Sequence, residues 1–246
     1  MLDRPASPTL LDVEAAITRL YLGAGLRLRD EDRKKAREVT ALLDELARAG
    51  LRDDKLVVEV AAGHAYLALL GAELLGLRHL WLIERDPDRI SRLRQLAAPA
   101  KLTIEIRQAE AASPSAWPEA PHAVVALHAC GRATDDALDG AVAAQARFVF
   151  LVPCCYGRSV PSLPAAEAAA ERLGIPPQSE LRRRFLQSYI DSDRVLRLEA
   201  AGYEVTAVPL VPPTVTPHNL LLRARRVGEP SRMQQATARL ARLREG

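Results

Sequence analysis

The 246-residue sequence predicts an α/β fold built on a doubly wound, mostly parallel seven-stranded sheet that ends in a C-terminal antiparallel hairpin. Three observations carry that expectation. Short apolar runs alternate with segments of helical spacing from Lys55 to Val152. The run Leu56-Val57-Val58-Glu59-Val60 opens through the small residues Ala61-Ala62-Gly63 into a helix. The last two apolar runs are joined by a loop too short for a crossover, so they pair antiparallel.

Two helices precede the sheet. Apolar residues recur at helical spacing from Leu10 to Leu20, and Asp30 to Ala49 repeats the pattern with a charged opposite face and Gly50 placed to end it. The alternation then reads as strand Lys55 to Val60, helix Ala65 to Leu75, strand Leu80 to Glu84, helix Asp88 to Ala97 and strand Leu102 to Arg107. After a Pro/Ser-rich loop come strand Ala123 to Leu127, helix Thr134 to Gln145 and strand Phe148 to Val152, which ends in Pro153. Such repeated units imply right-handed crossovers. Pro161 to Asp193 is helical and arginine-rich, with Arg182, Arg183 and Arg184 together. The hairpin strands run Tyr203 to Val211 and Leu220 to Val227, and Ser231 to Gly246 reads as a basic surface helix.

Composition narrows the class. A hydrophobic content of 48% supports a large core, and the formal net charge of +3 with a pI near 8.9 permits nucleic-acid binding without demanding it. The start Met1-Leu2-Asp3-Arg4-Pro5 lacks a basic-then-apolar secretory pattern, and no apolar run approaches the roughly 18 residues that span a bilayer. A cytoplasmic location without membrane association is expected. The three cysteines are an odd number and include the adjacent pair Cys154-Cys155, poorly placed for a mutual disulfide, which fits a reduced compartment. Oligomeric state is not fixed by the sequence.

The turn after the first strand suggests a nucleotide-type cofactor. Small residues let the backbone approach a ligand, and Glu84, closing the second strand, is placed to accept hydrogen bonds from both hydroxyls of a ribose. Ala61 and Ala65 occupy positions where such loops usually carry glycine, at a cost of about 1 kcal/mol wherever the turn needs a positive φ.

Val125-Ala126-Leu127-His128-Ala129-Cys130-Gly131-Arg132-Ala133-Thr134-Asp135 resembles the fourth-strand motif of a class I S-adenosylmethionine-dependent methyltransferase family. That family includes the eukaryotic tRNA 2'-O-methyltransferases with a His-x-Cys-Gly-x-Ala-Thr-Asp sequence. Lys34-Lys35-Ala36-Arg37-Glu38-Val39 is similar to the family's pre-sheet helix, Pro153-Cys154-Cys155-Tyr156 to its fifth-strand ending, and Thr216-Pro217-His218-Asn219 to the turn before its last strand. The resemblance spans Lys34 to Arg225 and implies a Rossmann-like methyltransferase domain over 51–228, between a helical extension over 1–50 and a basic helix over 229–246. It implies S-adenosylmethionine as cofactor, bound by Glu59, Ala61, Ala62 and Gly63, with Glu84 at the ribose and Glu110 near the adenine, and Arg85 and His128 are further candidate cofactor contacts.

Methyl transfer from a sulfonium is an in-line displacement, so alignment in a site without bulk water is the protein's main contribution. His128, at the carboxyl end of the fourth strand, suits a base for a hydroxyl acceptor or a structural hydrogen bonder. Asp135 either orients it or, like Thr134, caps the following helix, and Tyr156 lines the acceptor pocket or packs. Lys34, Lys35 and Arg183 are candidate substrate contacts. The same loops bring His128, Cys130, Cys154, Cys155 and His218 toward one sheet edge, but no Cys-x-x-Cys spacing occurs, so free thiols and no metal are expected. The expected activity is methyl transfer to a structured RNA. The alternatives are a small-molecule acceptor or a non-catalytic binding module that kept the fold.

Overall fold

A computed structural model describes residues 7–22, 27–98, 103–177, 180–217 and 219–245. Helix α1 (Leu10–Ile17) starts at a capping box in which Thr9 and Asp12 exchange hydrogen bonds. It passes into a five-residue π-helix, Thr18–Leu22, so the expected Leu10 to Leu20 helix keeps its length but changes its pitch. Helix α2 (Asp30–Arg48) follows, with Gly50 beyond it at φ +74°.

The sheet is built from β1 (Leu56–Val60), β2 (His79–Glu84), β3 (Thr103–Gln108), β4 (Ala123–Leu127) and β5 (Phe148–Val152), all parallel, and from β6 (Tyr203–Pro209) and β7 (Leu220–Arg226). Their order is β3-β2-β1-β4-β5-β7-β6, and β7 runs antiparallel to both β5 and β6. The sheet is therefore the predicted one, mostly parallel with an antiparallel end. Helices α3 (Tyr66–Leu74), α4 (Pro87–Ala97) and α5 (Arg132–Ala143) fill the crossovers, while α6 (Leu163–Arg172) and α7 (Glu180–Ala200) link β5 to the hairpin. The Pro/Ser-rich loop between β3 and β4 holds only the 3-10 turn Pro114–Ala116.

One core lies on each face of the sheet. Val13, Leu42, Leu46, Leu67, Leu70, Leu80 and Phe150 share one, so the two N-terminal helices pack into the same core as α3. Val58, Val124, Leu138, Leu151, Leu198 and Tyr203 share the other. The C-terminal helix α8 (Pro230–Glu245) docks on α7, where the Tyr189 hydroxyl donates to the Leu243 carbonyl at 2.5 Å and Arg244 pairs with buried Asp193 at 2.7 Å. Among the described residues no helix is long and apolar enough to cross a membrane.

Candidate active site

In a parallel sheet the loops after β1, β2, β4 and β5 emerge at one edge, beside the switch in strand order between β1 and β4. The β1 turn is tightly wound: Ala61, Gly63 and Ala65 have φ of +51°, +56° and +50°. Both alanines thus stand where glycine would be unstrained. Ala65 is fully buried, so its methyl points into the core, whereas Ala61 is half-buried. Ala61→Gly is expected to raise stability by about 0.5–1 kcal/mol, relief of left-handed strain outweighing the added freedom of the unfolded chain. Ala65→Gly should gain less because it also removes a packed methyl. Urea unfolding of the two variants checks both.

Two buried carboxylates brace this turn. Glu84 is 3% exposed; one oxygen accepts from the Gly63 amide at 2.7 Å and the other from the Arg85 and Asp86 amides at 2.9 and 3.0 Å. Glu59 accepts from the Ala68 amide at 2.7 Å at the start of α3. Burial pushes the Glu59 carboxyl up to about 8, against the pull of the Ala68 and Leu67 amides and with a further push from the charge on Glu84. Arg85 and Glu110 form an exposed ion pair across the ends of β2 and β3. Beside Glu110 a cleft of about 750 Å³ runs between the β3–β4 loop and α5, lined among others by Ala111, Trp117, Arg132 and Asp136.

His128 follows β4 with φ +60°. Its Nε2 lies 2.8 Å from Glu38 Oε1, and Lys35 Nζ reaches the other Glu38 oxygen at 2.7 Å. Desolvation alone would raise Glu38, but the bonds from His128 and Lys35 outweigh it and hold the carboxyl below its usual value, hence ionised. A carboxylate can only accept, so Nε2 is a donor here, while Nδ1 is buried and without a hydrogen-bond partner. Glu38 was not read from the sequence as a site residue. Its signal was present: it stands four residues before Leu42, on the apolar stripe of α2 with Val39 and Leu46.

Asp135 and His128 are not brought together. The Asp135 carboxylate, 1% exposed, accepts from Arg194 at 2.8 Å and Arg197 at 2.7 Å. Neither Asp135 nor Thr134 caps α5: its N-cap is Gly131, and the Thr134 hydroxyl donates to the Ala129 carbonyl, tying down the loop that carries His128. Arg194 also reaches Asp191 at 3.2 Å, and Asp191 accepts from the Tyr156 hydroxyl at 2.8 Å. Burial first, and then Asp191, push the Tyr156 hydroxyl well above its usual value, so it is a neutral donor. Tyr156, Arg184, Gln187 and Asn219 line a second cleft, of about 310 Å³.

The candidate substrate cations divide. Lys34 is exposed on α2, whereas Arg183 and Arg184 both pair with Glu180 and Arg182 turns to the Ile175 carbonyl. Arg182 is thus directed away from the exposed patch that Arg183 and Arg184 share at Glu180. The expectation of no metal is corrected by the thiols: the sulfurs of Cys130, Cys154 and Cys155 all lie within 4.8 Å of one another, a group able to hold an ion. Sequence spacing hid it because the ligands converge across two adjacent strand ends. His128 is outside this cluster, since Glu38 takes its Nε2, and His218 lies outside the described residues.

Comparison with known proteins agrees with the fold. A protein from Drosophila melanogaster named glutathione S-transferase C-terminal domain-containing protein homolog is 36% identical over 124 residues, covering 40% of this chain and 21% of that protein. The human protein of that name is 30% identical over 119 residues, covering 40% and 19%. The chain thus matches only about a fifth of these relatives' length. Among solved structures, a putative RNA methyltransferase from Pyrococcus horikoshii superposes with a TM-score of 0.53 at 14% identity, covering 90% of this chain and all of that one. Magnesium protoporphyrin IX methyltransferase from Synechocystis, with bound SAH, gives 0.53 at 14% identity over 87% and 93%. A fibrillarin/Nop5p complex gives 0.52 at 13% identity over 77% and 81%. The methyltransferase domain family matches residues 34–159, just over half of the sequence and all of the turn, the His128 loop and the thiols. The chain belongs to that family.

Proposed function

We propose that the protein is an S-adenosylmethionine-dependent methyltransferase acting on a structured RNA. The observation that supports an RNA acceptor is the basic rim of the candidate site. Exposed Arg85, Arg89, Arg132, Arg158 and Arg184, with Lys34, stand at the strand-end edge that carries the β1 turn. Most of their ion pairs are exposed, among them Arg85 with Glu110 and Arg132 with Asp136, and such pairs are weak enough to yield to phosphates. The resemblance of the His128 to Asp135 motif to the tRNA 2'-O-methyltransferases, and the fold shared with a putative RNA methyltransferase, agree with that reading.

The residues fit the cofactor. Two alanines are held at positive φ in one five-residue turn, and a buried nitrogen, Nδ1 of His128, is left without a partner beside it. Gly63 and Glu84 would hold the ribose, Arg85 and Glu110 would flank the adenine, and Glu59 keeps the turn in shape. The bound cofactor supplies an electrophilic methyl group on a sulfonium. His128 Nδ1, oriented by Glu38, takes the proton of a hydroxyl acceptor. Tyr156 lines the acceptor cleft with its hydroxyl proton held by Asp191, so its oxygen can only accept there, and Asp135 acts at a distance by holding Arg194 and through it Asp191.

S-Adenosylmethionine is expected to raise the melting temperature in proportion to the logarithm of its concentration above Kd. Glu84→Gln, which retains one acceptor oxygen for the backbone amides, should weaken that binding by about tenfold or more, since both ribose hydroxyls need an acceptor. Equal affinities would remove Glu84 from the cofactor site. With labelled cofactor and fractionated host extract, methyl label should enter RNA and binding should fall steeply with salt. Label confined to small molecules would replace the RNA reading with the small-acceptor one, and no label with no thermal shift would leave a binding module.

A further inference from the structure

We propose that Cys130, Cys154 and Cys155 bind one soft divalent cation, zinc first among them, through three thiolates with a fourth coordination position open to solvent. The sulfurs of Cys130 and Cys154 are 2.9 Å apart, those of Cys154 and Cys155 3.4 Å, and all three lie within 4.8 Å. Thiolates about 2.3 Å from a tetrahedral zinc stand roughly 3.8 Å from one another. The two closer separations fall short of that figure by about 1 Å or less, so small outward shifts of the sulfurs complete the site.

The chain is shaped to bring these atoms together. Neighbouring side chains on an extended strand point to opposite faces, yet Cys154 and Cys155 present their sulfurs to each other, because the backbone leaves strand geometry at the end of β5. Cys130 arrives from the adjacent strand on a loop fastened at two points. The Thr134 hydroxyl holds the Ala129 carbonyl, and Gly131, at φ +60°, packs so closely on Ser159 that a Cβ there would collide with the serine hydroxyl. Cys154 is buried and forms the floor, while Cys130 and Cys155 are exposed and form the rim, which leaves the solvent side for a fourth ligand.

A disulfide accounts for less of this geometry. A Cys130–Cys154 bond would use two sulfurs and leave the third, that of Cys155, beside them without a purpose, whereas an ion uses all three. Thiolates select zinc and cadmium over magnesium and calcium, which prefer oxygen. As each sulfur-to-metal bond forms, one thiol proton passes to the buffer, and neither sulfur nor ion changes oxidation state. Three protein ligands with an open position are the arrangement of zinc sites that take up an exogenous ligand, as opposed to closed structural sites. The inference does not depend on methyl transfer.

The test uses the full chain, freshly reduced, titrated with zinc against a chromophoric chelator and separately with cadmium. One equivalent should bind, cadmium should produce a thiolate charge-transfer absorption, and zinc should protect all three thiols from alkylation. These are the only cysteines in the sequence, so the alkylation count is unambiguous. Cys130→Ser, Cys154→Ser and Cys155→Ser should each lower zinc affinity by about 100-fold or more. Should Cys154→Ser fail to fold, the cadmium absorption and the alkylation count on the parent decide the matter. Unchanged affinity in all three variants, an alkylation count indifferent to zinc, or two thiols lost to a disulfide that excludes the metal would each overturn the proposal.

Discussion

Arg194→Met is expected to lower the free energy of unfolding by about 3–5 kcal/mol, the largest loss from any single charged side chain described above. Arg194 is fully buried, bonded to Asp135 at 2.8 Å and Asp191 at 3.2 Å, with its guanidinium carbon 5.6 Å from the centre of the Tyr156 ring. Methionine preserves most of the volume, so the loss reports the two carboxylates left in a desolvated site and not a cavity. Arg197 still reaches Asp135 at 2.7 Å, which keeps the effect from being larger. A second variant separates the causes: in Arg194→Met combined with Asp135→Leu one stranded charge is gone, and at least half the stability should return. If the double variant is less stable than the single one, packing and not uncompensated charge is the cause. Glu180→Ala, which removes the exposed partner of Arg183 and Arg184, should change little by comparison.

This network also marks where sequence reading stops. The parallel strands were legible because apolar runs such as Ala123–Leu127 and Phe148–Val152 are bounded by turn residues, and the hairpin because its loop is short. The N-cap assignment at Thr134 and Asp135 failed for a physical reason. Residue type favours a cap, but Gly131 at positive φ begins the helix earlier, and the arginines of α7 pull Asp135 into the core. Arg194 carried a faint signal, standing at helical spacing between buried Ile190 and Leu198. What no local pattern shows is which side chain of the neighbouring helix α5 meets it. Glu38 meeting His128 spans 90 residues, and the three thiols depend on how two loops bend after their strands. Such contacts are set by tertiary packing, to which the 3.6 and 2.0 periodicities of helix and strand are blind.

Glu59→Gln is expected to remove a pH dependence that the parent protein shows. The Glu59 carboxyl has an ordinary value of 4.5 and is pushed up to about 8 in the folded chain, chiefly by burial. Between those values the folded state holds a proton that the unfolded state has released, so stability falls as pH rises. The contribution is fully present below about pH 4.5 and is lost as pH passes through 8. Each unit in that window is worth about 1.4 kcal/mol, so from pH 5 to pH 8 the parent should lose on the order of 3 kcal/mol through this one group. Glutamine imitates the protonated acid and retains an oxygen for the Ala68 amide, so its curve should be flat by comparison. The variants should lie close together at pH 5, and the glutamine form should be the more stable at pH 8. His64 and His122, held below 6.5 mainly by burial, tilt stability the opposite way, but equally in both proteins, and cancel in the difference. Urea unfolding at the two pH values measures that difference directly. Parallel slopes would mean that Glu59 is ionised in the folded chain, and the turn that it braces would then carry a negative charge facing Glu84.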